Sequence, residues 1–345
     1  MIKTQQLWFT APYALEFREV ELPEPEPDEI LVRTLCSGIS AGTEMLAYRG
    51  QLPADQALDA TIDTLDNQST TYPFQYGYAN VGRVEAAGDK VDSSMLGKNI
   101  FALQPHATHY ITKADAVVEL PAGMKPQAGI FLANMETAVN IVLDARPMLG
   151  DHIAILGQGI VGLLVTGILS RFPLAASYAL ERMPLRRSRA LELGAEEVID
   201  PDCAEDMASL NTSLSETPGQ GADLVIELTG SPAALNMAVD YCAYTGRIIV
   251  GSWYGNKPVT LDLGGRFHRE RIHIVSSQVS RIDPELCGRW DRERRFTTAL
   301  DLIEQIKPEQ LITHKIEFSS APEAYTLLDR NPETALQTVL TYPDP

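Results

Sequence analysis

Residues 151–167 read DHIAILGQGIVGLLVTG, and no other stretch of the chain restricts its fold as tightly. Residues 153–156 are an unbroken apolar run, the pattern of a short strand buried on both faces of a parallel sheet. Gly157-Gln158-Gly159-Ile160-Val161-Gly162 follows at once and leads into an apolar segment of helical character. In a strand-to-helix turn each glycine has a mechanical reason. Gly157 allows the tight turn, Gly159 lets backbone approach a pyrophosphate, and Gly162 lets helix lie close on strand. The anion would meet the free N–H groups of the helix start, at Ile160 and Val161. Such a motif is weak alone and gains force from context. A second apolar run, residues 176–180, ends at Glu181, 19 residues beyond Gly162, the spacing of a carboxylate that accepts from ribose hydroxyls. Strand patterns recur at residues 221–230, 246–251 and 272–278. Residues 135–280 therefore read as a doubly wound α/β (Rossmann) dinucleotide-binding domain.

With 345 residues the chain has room for a second domain. Its net charge of −18 speaks against nucleic acid or an anionic membrane as partner. No apolar run approaches the length that spans a bilayer, and MIKTQQLWFT lacks the apolar core of a signal peptide, so a cytoplasmic enzyme is the expectation. Cys36, Cys203, Cys242 and Cys287 are widely separated, with no CxxC pair, and read as buried thiols rather than a metal site.

The first 134 residues read as a small, partly antiparallel β domain. Residues 29–34 are strand-like, and Pro23-Glu24-Pro25-Glu26-Pro27 excludes helix before them. Residues 54–71 are polar and poorly periodic, as in a flexible loop near an active site. Tyr76-Gly77-Tyr78-Ala79-Asn80-Val81-Gly82 enters another strand, and helical stretches are expected at residues 132–143, at 298–306 and from 321.

This order of pieces, with Gly38-Ile39-Ser40-Ala41-Gly42-Thr43-Glu44 and Gly77-Tyr78-Ala79-Asn80-Val81-Gly82, resembles the medium-chain dehydrogenase/reductase superfamily across nearly the whole chain. The likeness is to its zinc-type alcohol dehydrogenase-like part, bacteriochlorophyllide dehydrogenase-like members above all. The resemblance implies a GroES-like β-barrel catalytic domain over residues 1–134, the Rossmann insertion, and a return to the first domain over residues 281–345. It also implies a homodimer.

Members of the zinc-type branch hold a catalytic metal with Cys in GICG(S/T)D, with His and Glu in GHE, and with a later Cys or Glu. Here Ser40 stands at the first place, beside an apparent one-residue insertion; Tyr78 and Ala79 replace the His-Glu pair, and the third place falls near Ala133. Zinc needs soft or imidazole ligands with one open position, so the expectation is no zinc. His106 and His109, with no convincing third ligand, do not replace it. Without a Lewis acid the reacting oxygen needs preorganised donors. Tyr78 is the first candidate, with Ser40 and Thr43 as a hydroxyl relay and His106, read as lining a cleft, as an acid–base group. Barrel-wall packing explains each equally well. Glu44, where relatives carry an Asp, reads as one half of a structural ion pair.

For the cofactor, Thr137 falls where relatives place a residue beside the nicotinamide. Thr229, Gly251, Ser252, Ser277 and Gln278 lie at strand ends that would face it. Glu181 favours NAD; Arg182 and Arg186 keep NADP open. Trp253 and Tyr254 suit a flat or apolar substrate, and Arg266, His268, Arg269 and Arg271 an anionic group or a charged dimer edge. The functional expectation is hydride transfer between a secondary alcohol and a ketone, with NAD the favoured cofactor. A quinone or enoyl reductase and a nucleotide-binding protein with little catalysis remain as alternatives.

Overall fold

The computed structural model describes residues 2–53 and 69–343. Most of the loop expected at residues 54–71 lies outside them. The first part of the chain forms β1 (Ile2–Ala11), β2 (Ala14–Leu22), β3 (Glu29–Ile39), α1 (Thr43–Tyr48), β4 (Asn80–Ala87), β5 (Asn99–Ala102), β6 (His109–Lys113), β7 (Val117–Glu119) and the single turn α2 (Pro126–Gly129). The middle forms α3 (Leu132–Ala145), β8 (His152–Leu156), α4 (Ile160–Leu169), β9 (Ala176–Leu180), α5 (Pro184–Glu192), β10 (Glu197–Ile199), α6 (Ala204–Ser215), β11 (Ala222–Glu227), α7 (Pro232–Tyr241), β12 (Cys242–Val250) and β13 (His273–Ser276). The last part forms α8 (Arg292–Ile306), β14 (Ile312–Glu317), α9 (Ala321–Arg330) and β15 (Gln337–Thr341).

Two compact units result: Met1–Ala133 with Lys307–Pro345, and Asn134–Ile306. The second crossing corrects the sequence expectation, which put it at residue 281. The reason lies in α8. Its Ile306 packs on Gly167 of α4, where an added Cβ would stand 3.3 Å from the isoleucine Cδ1. Arg295 of the same helix is bonded to Glu136 and Asn140 of α3. Lys307, with φ 55°, turns the chain out of the helix.

In the second unit all six strands run parallel in the order β10-β9-β8-β11-β12-β13, the 3-2-1-4-5-6 order of a Rossmann sheet. Residues 153–156 are buried on both faces, as their unbroken apolar run requires. Every residue of α4 from Gly162 onward is buried, which explains a helix apolar all round.

In the first unit a seven-stranded sheet runs β14-β15-β3-β4-β5-β7, with β6 also paired to β3, and β1-β2 form a separate hairpin. Most pairings are antiparallel; β14 and β15 are parallel. One core gathers Ile30, Val32, Val84, Ile100 and Tyr110. A second gathers Phe9, Met45, Tyr48, Phe74, Tyr76 and Tyr325, joining α1 and α9 to the hairpin. Among the described residues one stretch, Pro126–Ala145, is long and apolar enough by length and composition alone to cross a membrane, though it is no unbroken apolar run. Its most apolar window is 83% buried inside the protein, the environment of a core helix. The thiols also differ from expectation: Cys36 and Cys242 are buried, Cys203 is partly buried and Cys287 is exposed.

Candidate active site

The sheet of the second unit reverses its strand order between β8 and β11, the place where open α/β sheets bind ligands. The fingerprint sits there. Gly157 has φ +92°, and an added Cβ would stand 2.9 Å from the Leu228 carbonyl carbon. At Gly162 a Cβ would lie 2.0 Å from the Gly157 carbonyl oxygen, so no larger residue fits the helix-to-strand approach. Around Gly159, by contrast, nothing lies within 4 Å of that position. Backbone there is open to a ligand, at the N-cap of α4.

Glu181 lies at the end of β9, nearly buried. One carboxylate oxygen accepts from the Gln158 N–H at 2.8 Å and the other from the Met183 N–H at 3.0 Å. Arg186 stands 3.8 Å from the same carboxylate, while Arg182 points to solvent and pairs with Asp202 at 2.6 Å. At the end of β11, Glu227 is fully buried and was missed from sequence. It accepts from the Thr229 N–H at 2.7 Å, from the Thr229 hydroxyl, and from the Tyr254 hydroxyl at 2.7 Å. Burial, then this carboxylate, pushes the Tyr254 phenol well up from its ordinary value. Tyr254 is therefore a partner of Glu227, whereas Trp253 is exposed. Ser252 accepts from the Gly230 N–H at 2.8 Å, and an added Cβ on Gly251 would meet Leu228 at 2.7 Å.

Ser277 donates to Asp144 at 2.6 Å, and Gln278 accepts from the Ser280 N–H at 2.7 Å. Thr137 is partly buried on α3. Its neighbours Glu136, Asn140 and Asp144 form a chain with Arg295 that the sequence reading did not find. The Arg295 guanidinium donates to Glu136 at 2.6 Å and to Asn140 at 2.7 Å, and Asn140 donates to Asp144 at 2.9 Å. Their spacing of four residues along α3 was a readable signal. The basic cluster is not an open anion site at its first member: Arg266 donates to the carbonyls of Gln220 at 3.0 Å and Cys242 at 2.7 Å.

In the first unit, Ser40 follows the end of β3 and Thr43 opens α1. The Tyr78 hydroxyl donates to the Ser40 hydroxyl at 2.6 Å and lies 3.3 Å from that of Thr43. All three side chains are partly exposed, so the structure brings the three hydroxyl candidates to one place that a ligand can reach. His106 is different. Its exposure is 0%, which corrects its reading as a cleft residue available for acid–base work. Its Nδ1 lies 2.7 Å from the Ser37 hydroxyl and its Nε2 lies 2.9 Å from Glu44, also 0% exposed. His106 lies in a bend just before β6, where its carbonyl accepts from the Leu7 N–H of β1 at 3.0 Å and its ring meets Ser37 of β3. His109 is half-buried, with its Nε2 3.7 Å from Glu85; burial lowers its basicity.

The places at which the zinc-type branch holds its metal present hydroxyls and methyl groups: Ser40, Tyr78, the buried Ala79 and the buried Ala133. Nearby Cys36 is buried, and burial pushes its thiol up to about 12, far from a ready thiolate. Among the described residues no group of three or more His, Cys, Asp or Glu side chains is arranged to hold a metal. This donor set does not fit zinc.

Fold and site define a Rossmann dinucleotide unit joined to a GroES-like β unit. Comparison with known proteins shows what this arrangement is similar to. The family model of zinc-binding dehydrogenases matches residues 161–305. D-guloside 3-dehydrogenase of Escherichia coli (strain K12) is 24% identical over 356 residues, covering 98% of this chain and 100% of that protein. (R,R)-butanediol dehydrogenase of Bacillus subtilis (strain 168) is 24% identical over 335 residues, covering 88% and 89%. Among solved structures, a protein of E. coli CFT073 described as a short chain alcohol dehydrogenase, complexed with NADH, superposes with TM-score 0.79 at 19% identity, covering 98% of this chain and 99% of that one. A zinc-binding dehydrogenase homologue of Sinorhizobium meliloti 1021 bound to NADP gives TM-score 0.76 at 19% identity, covering 99% and 100%. Residues 161–305 thus match the zinc-binding dehydrogenase family, and over nearly its whole length the chain is similar to dehydrogenases of the medium-chain dehydrogenase/reductase superfamily.

Proposed function

We propose that the protein is a zinc-independent, nicotinamide-dependent dehydrogenase that interconverts a secondary alcohol and its ketone, with NAD(H) preferred. The observation that carries this reading is the 2.6 Å hydrogen bond between Tyr78 and Ser40, the two residues standing where zinc ligands stand in relatives. Relatives named for a guloside and for butanediol support an alcohol as the substrate class.

When bound, the nicotinamide supplies or accepts the hydride. Gly157, Gly159, Gly162 and the N–H groups of Ile160 and Val161 would receive its diphosphate, and Glu181 its ribose. Thr137, Thr229, Gly251, Ser252, Ser277 and Gln278 would lie along the rest of it, with Arg182 and Arg186 near the ribose. The chain's own chemistry is proton management at the substrate oxygen. In the reducing direction Tyr78 donates its hydroxyl proton to that oxygen as negative charge develops on it, and the phenol oxygen regains a proton from solvent through the partly exposed Ser40 and Thr43 hydroxyls. In the oxidising direction the same groups take the alcohol proton. Removing one preorganised donor of this kind costs about 100- to 1,000-fold in turnover.

The experiment is a screen of butane-2,3-diol isomers and methyl glycosides with NAD, and of their ketones with NADH, on metal-stripped protein. An alcohol–ketone pair turned over without metal, with Tyr78→Phe losing about 100-fold or more, is the expected result. Saturation of an enone in place of carbonyl reduction makes the protein an enoyl or quinone reductase. Tight cofactor binding with no turnover on either panel makes it a binding protein.

A further inference from the structure

The loop that carries Ser40 has almost nothing packed on it. Ala41 and Gly42 are exposed, and an added Cβ on Gly42 would meet nothing within 4 Å. Gly42, at the N-cap of α1, offers no side chain to the free N–H groups of that helix. The turn is held by hydrogen bonds instead. Ser40 accepts from the Thr43 N–H on its hydroxyl at 3.3 Å, and its carbonyl accepts from the Glu44 N–H at 3.2 Å. The Ser40 N–H in return donates to the Glu44 carboxylate at 2.8 Å. This is a capping box in form, with the acid displaced by one residue.

Glu44 is not a free surface acid doing local work. Its second oxygen accepts from the Tyr325 hydroxyl at 2.5 Å and pairs with His106 Nε2 at 2.9 Å, with all three residues fully buried. His106 is held at its other nitrogen by Ser37, which is bonded to the Tyr342 hydroxyl at 2.8 Å. Burial, then Glu44, keeps Tyr325 protonated as a donor. A hydrogen-bonded line thus runs from the partly buried Tyr342 through Ser37, His106 and Glu44 to the Ser40 backbone, and from the Ser40 hydroxyl to Tyr78. A buried pair of this kind is a poor stabiliser, because desolvation offsets its attraction. What a fully satisfied buried network does supply is a single geometry.

We propose that Glu44, backed by His106 and Tyr325, is a positioning residue that sets the Ser40 hydroxyl against Tyr78, doing by hydrogen bonds what a metal does in zinc-dependent relatives. The inference rests on Tyr78 and Ser40 being the groups that meet the substrate oxygen. A displacement of about 1 Å at such a site costs about 100-fold.

The test places 3-fluorotyrosine at position 78 of the full-length chain and records its fluorine resonance without substrate. Ser40→Ala marks the shift that follows loss of the Tyr78 bond. Glu44→Gln keeps the size but has one acceptor oxygen in place of two, so it cannot accept from the Ser40 N–H and also from Tyr325 and His106, and it should move the resonance in the same direction. His106→Leu should move it too, with His106→Gln, which restores a donor toward Glu44, bringing it back toward the wild type. That second series stands in if Glu44→Gln does not fold, as judged by near-ultraviolet circular dichroism. A wild-type resonance in folded Glu44→Gln or His106→Leu overturns the inference. With a turned-over substrate, Glu44→Gln should lose about 10- to 100-fold in kcat while NADH affinity stays unchanged, and its effect should be less than additive with Ser40→Ala. Additive effects would also overturn it. If Tyr78→Phe keeps full turnover, the catalytic reading falls while the resonance shifts still report on the anchor, so the two failures are told apart.

Discussion

Glu181 spends both of its carboxylate oxygens on backbone N–H groups, at 2.8 and 3.0 Å, one of them inside the fingerprint. A 2′-phosphate placed beside it would meet a nearly buried negative charge, with Arg186 at 3.8 Å from that carboxylate and Arg187 already bonded to the Glu181 carbonyl and to Asp200. Arg182 is committed elsewhere, although its exposed pair with Asp202 is the kind worth about 0–1 kcal/mol and readily broken. Fluorescence titration should therefore find NADH bound at least about tenfold more tightly than NADPH, with Glu181→Ala narrowing that ratio chiefly by weakening NADH. Tighter NADPH binding by the unaltered protein would show that Arg182 governs the pocket instead. This residue was legible because the fingerprint and the acid belong to one β-α-β unit, in which chain distance and spatial distance rise together. His106 was not. Its partner Glu44 is 62 residues away, and the segment that carries the imidazole is held by a backbone bond to Leu7 of β1, far earlier in the chain. A lone histidine in an irregular segment carries no mark of the side it takes.

At the scale of elements, the joint between α3 and α8 carries a buried ion pair. Arg295 and Glu136 are 4% and 8% exposed and bonded at 2.6 Å. Burial pushes the Glu136 carboxyl up, and Arg295 pulls it part of the way back. Arg295→Met removes the counter-charge and leaves the carboxylate alone, a loss of about 3–5 kcal/mol near neutral pH. The loss should be pH-dependent. A carboxyl with a raised folded value contributes fully below its ordinary value of 4.5, and that contribution disappears as pH rises through the raised one. The deficit of the variant is thus greatest at neutral pH and shrinks toward pH 5, as Glu136 takes up a proton. Asp144, also pushed up by burial, titrates in both proteins and largely cancels in the difference. Urea unfolding of both proteins between pH 5 and 7 measures it; a deficit independent of pH would mean that the guanidinium acts by packing alone. The joint also explains the misplaced boundary. In sequence the run Arg289, Arg292, Arg294, Arg295 is ambiguous between an anion site and a charged dimer edge. Three of its members are exposed, and Arg292 and Arg294 lie over Phe296 and Trp290, while Arg295 is buried and fastens α8 to the nucleotide-binding unit.

Across the whole molecule, the question of metal is one of inventory. Six histidines and four cysteines are all that the chain has to offer as its best zinc donors. His106 is bonded at both nitrogens, His109 faces Glu85, His152 faces Asp223 at 3.5 Å, and His314 sits 3.0 Å from the Thr313 hydroxyl. Burial pushes the thiols of Cys36 and Cys242 up to about 12, so a metal would have to compete with a proton held far more tightly than usual. The carboxylates nearest the Tyr78 hydroxyl cluster are no better placed, because Glu44 already receives Tyr325, His106 and the Ser40 N–H. A catalytic zinc needs three protein ligands and an open fourth position, and the places inherited from zinc-dependent relatives offer two hydroxyls and two methyl groups. Protein purified from zinc-supplemented medium should accordingly hold well under one zinc per chain by elemental analysis. Prolonged dialysis against a chelator should leave turnover of its alcohol substrate unchanged, and added zinc should not raise it. Loss of turnover on chelation, restored by zinc, would show that ligands outside the inherited positions rebuild a site, and the proton route through Tyr78 and Ser40 would have to be rewritten around that metal.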